Sequence, residues 1–144
     1  MQNSEKEIED LLLIFGVKRE LLENYNIEKI GNSYWLTSKG LKSFEGFNVQ
    51  CKGLRIAERT KLGLKPTSYG LQFFGQQIKE NVVDLKKDEL LSIIKGKPIA
   101  KSCKDGYIAL RLEGYVVGCG LCKKGLVYSQ LPKSIATALL ELYG

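Results

Sequence analysis

Four cysteines are the first candidates for chemistry in this 144-residue sequence: Cys51, Cys103, Cys119 and Cys122. The last two form a CxxC pair, a spacing used by zinc sites and by redox-active thiols. A zinc site would also need Cys51 and Cys103, because no second CxxC follows. A redox pair normally lies at a helix N-terminus, and no helix is indicated here. Both alternatives stay open, but we favour a third, in which the cysteines are small hydrophobic residues.

The CxxC pair falls in a segment with strand character. In a continuous strand, residues three apart point to opposite faces of the sheet. We therefore predict that Cys119 lies in the core and that Cys122 does not.

The sequence contains no histidine. This excludes Ser-His-Asp and Cys-His catalysis and any metal site that uses histidine. Carboxylate or lysine chemistry remains possible, but no paired-carboxylate spacing stands out. We predict a protein that is not an enzyme and that binds no metal and no cofactor.

Charge is distributed unevenly along the chain. Residues 1–30 carry four Lys/Arg and seven Asp/Glu, whereas residues 31–144 carry 18 Lys/Arg and nine Asp/Glu. The whole chain has a net charge of +6. A basic body predicts an anionic partner, although many soluble proteins are mildly basic. The polar, acidic first residues are not a secretory signal and no apolar run is long enough to cross a bilayer, so we expect a cytoplasmic protein without membrane contact.

The basic residues form two groups along the sequence, and tyrosines are interleaved with the second. Lysine and arginine neutralise phosphates, and an exposed tyrosine can stack on an unpaired base. Each lysine alone is better explained as part of a solvated face, but the groups together favour RNA contact. The first group is Lys52, Arg55, Arg59, Lys61 and Lys65; the second is Lys95, Lys97, Lys101, Lys104, Lys123, Lys124 and Lys133, with Tyr107, Tyr115 and Tyr128.

Alternating apolar residues predict strands at 107–112 and from Tyr115 onward, joined at Glu113-Gly114, and a third strand at 126–128. Glycine within a strand usually marks a bulge or a close backbone approach, and Gly118 and Gly120 lie in the second strand. We interpret this segment as a meander from a small β barrel.

The remaining pattern predicts an α+β fold. A helix begins after the capping box Ser4–Glu7, a two-residue hairpin turn lies at Gly31-Asn32, and a basic loop runs from Arg59 to Lys65. A helix capped at Thr67 or Ser68 follows, and an amphipathic helix occupies 88–95. We place a small N-terminal α/β module at 1–76 and a mixed β barrel at 77–144.

Several segments resemble PUA domains, the RNA-binding modules named for pseudouridine synthases and archaeosine transglycosylases. GYVVGCG is similar to their glycine-bearing strand, and LKKDELLSIIKGKP and LVYSQLPKSI resemble the helix and closing segment of the PUA-like tail of Sun-type RNA cytosine-5 methyltransferases. GLRIAERTKLGLKPTSYGLQFFG resembles the segment that precedes that tail. The layout also resembles stand-alone PUA proteins of ribosome biogenesis.

The resemblance implies RNA contact at Lys95–Pro98, along Tyr115–Gly120 and at Lys124 and Lys133 in the closing segment. It does not imply catalysis, because the Pro-Cys and Thr-Cys-Ser motifs of those methyltransferases are absent. The predicted RNA-binding residues are Arg55, Arg59, Lys61, Lys65, Lys95, Gly96, Lys97, Tyr115, Gly118, Gly120, Lys123, Lys124 and Lys133.

The resulting hypothesis is a non-catalytic protein that docks on structured rRNA or tRNA, in RNA modification or ribosome biogenesis. Its expected partners are that RNA and an RNA methyltransferase or ribosome-assembly factor. The alternative is a protein–protein adaptor or accessory subunit, with the barrel as scaffold and the acidic first helix as the contact.

Overall fold

The computed structural model describes residues 2–39 and 53–144, and the predicted α+β class is confirmed. In chain order the elements are α1 (Gln2–Ile14), a 3-10 helix (Arg19–Leu22), β1 (Tyr25–Ile30), β2 (Ser33–Ser38), β3 (Leu54–Thr60), β4 (Gly63–Pro66), α2 (Ser68–Phe73), a 3-10 helix (Gly75–Gln77), β5 (Val82–Leu85), α3 (Lys87–Ile94), β6 (Ile99–Ala100), β7 (Gly106–Leu112), β8 (Tyr115–Lys123), β9 (Leu126–Ser129) and α4 (Lys133–Tyr143).

The first sheet is an antiparallel meander in the order β1-β2-β3-β4. Gly31 and Asn32 connect β1 to β2, so the predicted hairpin is confirmed. The expected basic loop from Arg59 to Lys65 is wrong, because Arg59 lies in β3 and Lys65 in β4 of a second hairpin. Strand pairing satisfies the backbone of these residues and spreads their side chains over two faces.

The second sheet is mixed and curls into a half-barrel with the order β5-β7-β8-β9-β6. The three-strand meander predicted at 107–128 forms its centre, with β8 between β7 and β9. β5 joins the meander in parallel, and the short strand β6 pairs with β9. α3 connects these two edge strands, and α4 follows β9.

Each face of the second sheet packs against a different hydrophobic core. One core contains α1, the inner face of the first sheet, α2, and Ala109 and Cys119 of the second sheet. The other contains α3 together with Ile108, Leu110 and Cys122. The first core is therefore built from both predicted modules. The boundary at residues 76 and 77 stays a prediction.

The first helix buries the predicted apolar face, which is Ile8, Leu11, Leu12 and Phe15. It begins at Gln2, so the predicted capping role of Ser4 is wrong. Glu7 instead accepts a hydrogen bond from the hydroxyl of Tyr34. In α2, by contrast, the Thr67 side chain caps the helix by accepting from the Gly70 N–H, as predicted.

Gly70 allows α2 to approach β3 closely. A Cβ atom at residue 70 would lie 2.7 Å from the carbonyl oxygen of Ile56 and 2.9 Å from its Cα. Backbone cannot move as a side chain does, so we expect Gly70→Ala to lower the free energy of unfolding by about 1–3 kcal/mol. Urea unfolding measures this. Gln77→Ala, at an exposed position nearby, should change stability by less than about 0.5 kcal/mol; equal effects would contradict the close approach.

Asp84 on β5 pairs with Arg111 on β7, at 2.6 Å from Oδ1 to Nε and 3.0 Å from Oδ2 to Nη2. Hydrogen bonding from Arg111 lowers the pKa of Asp84 below its ordinary value of 3.8. A lowered pKa stabilises the fold above that ordinary value, and the contribution is lost as pH falls through the folded-state pKa. Asp84→Asn should therefore reduce stability near neutral pH by about 0.5 kcal/mol, as for exposed pairs. Unfolding titrations should show that difference vanish in acid; a difference that persists would contradict the assignment.

Candidate nucleic-acid interface

A groove of about 470 Å³ separates the two sheets on one side of the molecule. One wall comes from β3, β4 and the start of α2, and the other from the segment 129–132 that follows β9. Tyr69 of α2 closes one end, where its hydroxyl lies 3.0 Å from the Ser134 hydroxyl in α4. The lining residues are Arg55, Glu58, Lys65, Thr67, Ser68, Tyr69, Ser129, Gln130, Leu131 and Pro132.

The two arginines of the predicted site form ion pairs within the protein. Arg55 Nη1 lies 3.2 Å from Glu58 Oε1, and both side chains line the groove. Arg59 binds Glu7 of α1 and also donates to the Tyr34 hydroxyl at 3.3 Å. This hydrogen bond raises the pKa of Arg59. Arg59 therefore joins α1 to the first sheet, which limits its availability for RNA.

Lys65 reaches from the first sheet towards the second. Its Nζ lies 5.9 Å from the centre of the Tyr107 ring on β7, at the outer limit of a cation–π contact. Lys133, the first residue of α4, is exposed and follows Pro132 at the groove. Lys61 is exposed in the β3–β4 turn. The structure thus places Lys65 in the lining of the groove, and Lys133 directly follows Pro132, another lining residue from a distant part of the sequence.

A second basic cluster, the basic rim, lies where β8 ends and β9 begins. Strand pairing brings the loop after β6 to this edge, since Lys101 N donates to Gly125 O at 2.9 Å. Lys124 is held by its N–H, which donates to Asp105 Oδ1 at 2.8 Å. Lys101 also pairs with Glu89 of α3 at 3.1 Å. The basic rim consists of Lys101, Lys104, Lys123 and Lys124, and the last three are exposed.

Lys95, Gly96 and Lys97 lie at the C-terminal end of α3 and are all exposed. Gly96 has a φ of 90°, the left-handed conformation that ends helices. The carbonyl of Lys97 accepts from the Ser92 hydroxyl at 3.0 Å, which fixes the chain after the turn. These residues form an exposed corner on the strand β6 side of the half-barrel.

Gly118 and Gly120 are buried and pack against the protein itself. A Cβ at Gly118 would lie 2.4 Å from Leu131 Cδ2 and 2.6 Å from Ser68 Oγ, and one at Gly120 would lie 2.7 Å from Leu110 Cδ2. The close approach predicted from these glycines is therefore internal. Direct RNA contact at these two residues conflicts with their burial.

Tyr115 is 70% exposed at the start of β8. Lys123 lies at the other end of the same nine-residue strand, about 26 Å away by the rise of an extended chain. Tyr115 and the basic rim therefore cannot act on the same few nucleotides.

The cysteines correct two of our expectations. Cys122 is buried and forms a disulfide with Cys103, so these two are not simple hydrophobic residues. Cys119 and Cys122 do point to opposite faces, but both faces of this sheet are buried. Cys119 is a free, buried thiol, and burial raises its pKa to about 12, which leaves almost no thiolate at neutral pH. Cys51 lies outside the described residues.

Metal-binding clusters and membrane-spanning helices are both absent from the described part of the chain. Residues 2–39 and 53–144 hold no cluster of three or more carboxylate or cysteine side chains able to bind a metal ion. No helix within these residues combines the length and the apolar character needed to span a bilayer.

Sequence reasoning missed Tyr69 and Gln130 as groove residues. It noted Tyr107 and Tyr128 among the lysines but did not include them in the predicted site. A period of two places each tyrosine on a strand face, but only the pairing of β7, β8 and β9 shows which face, and which residues of the other strands lie beside it.

Comparison with known proteins supports the resemblance seen in the sequence. Residues 80–135 match the family described as the methyltransferase RsmF PUA domain. The match begins just before β5, ends in the first turn of α4, and includes the whole basic rim. The predicted resemblance to the PUA-like region of Sun-type methyltransferases is thereby confirmed for this part of the chain. No curated protein matches the chain.

The cysteine assignments predict a specific labelling pattern. Native protein treated with iodoacetamide at about pH 8 without reductant should leave Cys119 unmodified, because a buried thiol with a raised pKa reacts slowly. Peptide mapping should recover Cys103 and Cys122 as one linked peptide pair. Unfolding in urea should make Cys119 reactive, which serves as the control. Rapid labelling of Cys119 in the native protein would contradict its burial.

Proposed function

We propose that this protein binds RNA through its half-barrel domain and acts without catalysing a reaction itself. The observation that carries the proposal is the match of residues 80–135 to a PUA domain, a class that indicates RNA binding. Exposed lysines of the basic rim fall inside the matched segment, where they can neutralise phosphates. Lys65 and Lys133 extend this positive surface to the groove.

The RNA we propose is a structured rRNA or tRNA, bound in the cytoplasm during RNA modification or ribosome biogenesis. The matched family is a domain of a methyltransferase, which supports an RNA methyltransferase or an assembly factor as companion. Phosphate contacts from a lysine cluster suit recognition of RNA by shape.

Two observations support a non-catalytic role. The matched segment is a PUA domain. The only thiol that is free among the described residues, Cys119, is buried and has a raised pKa, so it is a poor nucleophile.

The basic rim predicts that charge reversal weakens RNA binding and makes it less dependent on salt. Lys123→Glu combined with Lys124→Glu should weaken binding of a labelled RNA stem–loop at least about tenfold. It should also reduce the slope of log affinity against log salt by about two, one unit for each phosphate that a lysine no longer neutralises. Fluorescence anisotropy at several salt concentrations measures both.

The matched control is Lys6→Glu combined with Lys18→Glu, which makes the same charge change at exposed positions on α1 and just after it. It should leave the salt slope nearly unchanged. An equal loss of affinity in both double variants would mean that net charge, and not the basic rim, determines binding. Unchanged affinity in the rim variant would contradict the proposed site.

A protein–protein adaptor is the second candidate, and exposed apolar residues on the N-terminal part favour it. Leu13 and Ile14 at the end of α1 are about half exposed, and Leu21 is 40% exposed. Binding driven by such apolar contacts changes little with salt, whereas phosphate contacts weaken steeply. Salt dependence of partner binding therefore distinguishes the two candidates.

A further inference from the structure

Three residues on adjacent strands of the second sheet form a row across its surface. Tyr107 of β7 pairs with Leu121 of β8, and Leu121 pairs with Tyr128 of β9. Residues paired in this way carry their side chains on the same face, so we call Tyr107, Leu121 and Tyr128 the tyrosine row. Strand spacing sets the two tyrosines about 10 Å apart.

The tyrosine row lies on the face that the N-terminal part covers only in part. Ala109 and Cys119, two residues further along β7 and β8, share this face and are fully buried in the first core. The three residues of the row are only half-buried. Among the described residues, Tyr107 packs against the first core, whereas Leu121 and Tyr128 pack into neither core. The covering structure is therefore incomplete at the row and leaves it as a partly exposed amphipathic strip.

The two tyrosine hydroxyls have no partner within the described residues. Neither the Tyr107 nor the Tyr128 hydroxyl makes a hydrogen bond there, although buried tyrosines usually find one. No aromatic ring in that part of the chain packs against either tyrosine. Neither hydroxyl therefore belongs to an internal polar network, and the Tyr128 ring fills neither core.

Positive charge flanks the tyrosine row on both sides. Lys65 Nζ lies 5.9 Å from the Tyr107 ring centre. Lys123 follows Leu121 by two residues on the same face of β8, is exposed, and belongs to the basic rim. Aromatic rings between cations match single-stranded RNA, whose unpaired bases stack on rings while its phosphates bind lysine. A double helix keeps its bases stacked on one another and offers no free base face to the row.

We propose that the tyrosine row binds unpaired RNA nucleotides, with bases stacked on Tyr128 and Tyr107 and the adjoining phosphates held by Lys123 and Lys65. This rests on the proposed RNA-binding function and adds its substrate class: an RNA with a single-stranded segment next to the duplex or loop that the basic rim contacts. Ser129 and Gln130, which follow Tyr128 in the chain, line the groove together with Lys65, so the RNA strand could continue from the row into the groove.

The test compares two fluorescent RNA probes of equal length, an unstructured oligouridine of about 12 nucleotides and a fully paired duplex. Wild-type protein should bind both probes, and its affinity for the single-stranded probe should depend on the tyrosine row. Tyr128→Ala should weaken binding of oligouridine about fivefold to a hundredfold, the range measured for loss of one stacked base. Affinity for the duplex should stay within about twofold of wild type.

Two variants separate stacking from other effects. Tyr128→Phe keeps the ring and should retain wild-type affinity for oligouridine. Tyr115→Ala removes a more exposed tyrosine at the start of β8, outside the row, and should cost less affinity than Tyr128→Ala. Thermal unfolding of each variant confirms that the fold is retained; if Tyr128→Ala does not fold, Tyr128→Leu, which keeps apolar bulk but removes the ring, replaces it in the same comparison.

The outcomes distinguish this inference from the function on which it rests. Equal loss of single-strand and duplex affinity in Tyr128→Ala, no loss of either, or a larger loss in Tyr115→Ala overturns the tyrosine row. In each of these cases wild-type RNA binding and its dependence on Lys123 and Lys124 would still support the proposed function. Failure of wild-type protein to bind either probe or a stem–loop would overturn both.

Discussion

The β7–β8 pair must bury both of its faces, and most of this structure follows from that requirement. On one face, Ala109 and Cys119 pack against the core that includes α1 and the first sheet. On the other, Ile108, Leu110 and Cys122 pack under α3. A strand pair covered on both sides cannot show a simple apolar–polar alternation over its whole length. The two cores are thereby joined through one shared sheet, and the N-terminal part packs on it directly.

Small residues in β8 make this double burial possible. α2 comes close enough for the Ser68 hydroxyl to accept a hydrogen bond from the Cys119 N–H at 2.9 Å, and Gly118 leaves space for Ser68 and Leu131. Gly120 leaves space for the Leu110 side chain in the same way. The pattern of glycines that resembles a nucleic-acid-binding strand is thus used here to pack the protein against itself. Recognition would then fall to side chains at the strand ends and on the uncovered part of the face.

The same packing decides where a ligand can bind. The N-terminal part buries Ala109 and Cys119 on the β7–β8–β9 face and contacts Tyr107, but it leaves the tyrosine row only half-buried beside Lys65 and Lys123. Lys65 and Lys123, which belong to different basic groups in the sequence, both lie beside the tyrosine row. The two arginines of the predicted site are less available for RNA because they are paired within the protein. Arg59 binds Glu7 and Tyr34, and Arg55 binds Glu58. The disulfide between Cys103 and Cys122 attaches the loop of Lys101 and Lys104 to the same strand end. Disulfides are uncommon in cytosolic proteins, so the cytoplasmic location stays a prediction.

The sequence by itself determined the elements whose signals are local. The hairpin turn at Gly31-Asn32, the Thr67 cap, the apolar face of α1 and the meander at 107–128 each depend on neighbouring residues, and each is confirmed. The resemblance to PUA domains determined more than local signals could. The order and spacing of short motifs indicated a PUA domain, and the match of residues 80–135 supports it. Tertiary structure alone decided the rest. Cys103 and Cys122 form a disulfide because β7 pairs with β8. Arg59 binds Glu7 because α1 packs on the first sheet. Tyr107 and Tyr128 share one row only because both of their strands pair with β8 at Leu121. Contacts of this kind join residues that are distant in the chain, and no local period or motif specifies which of the two faces of a strand will be covered.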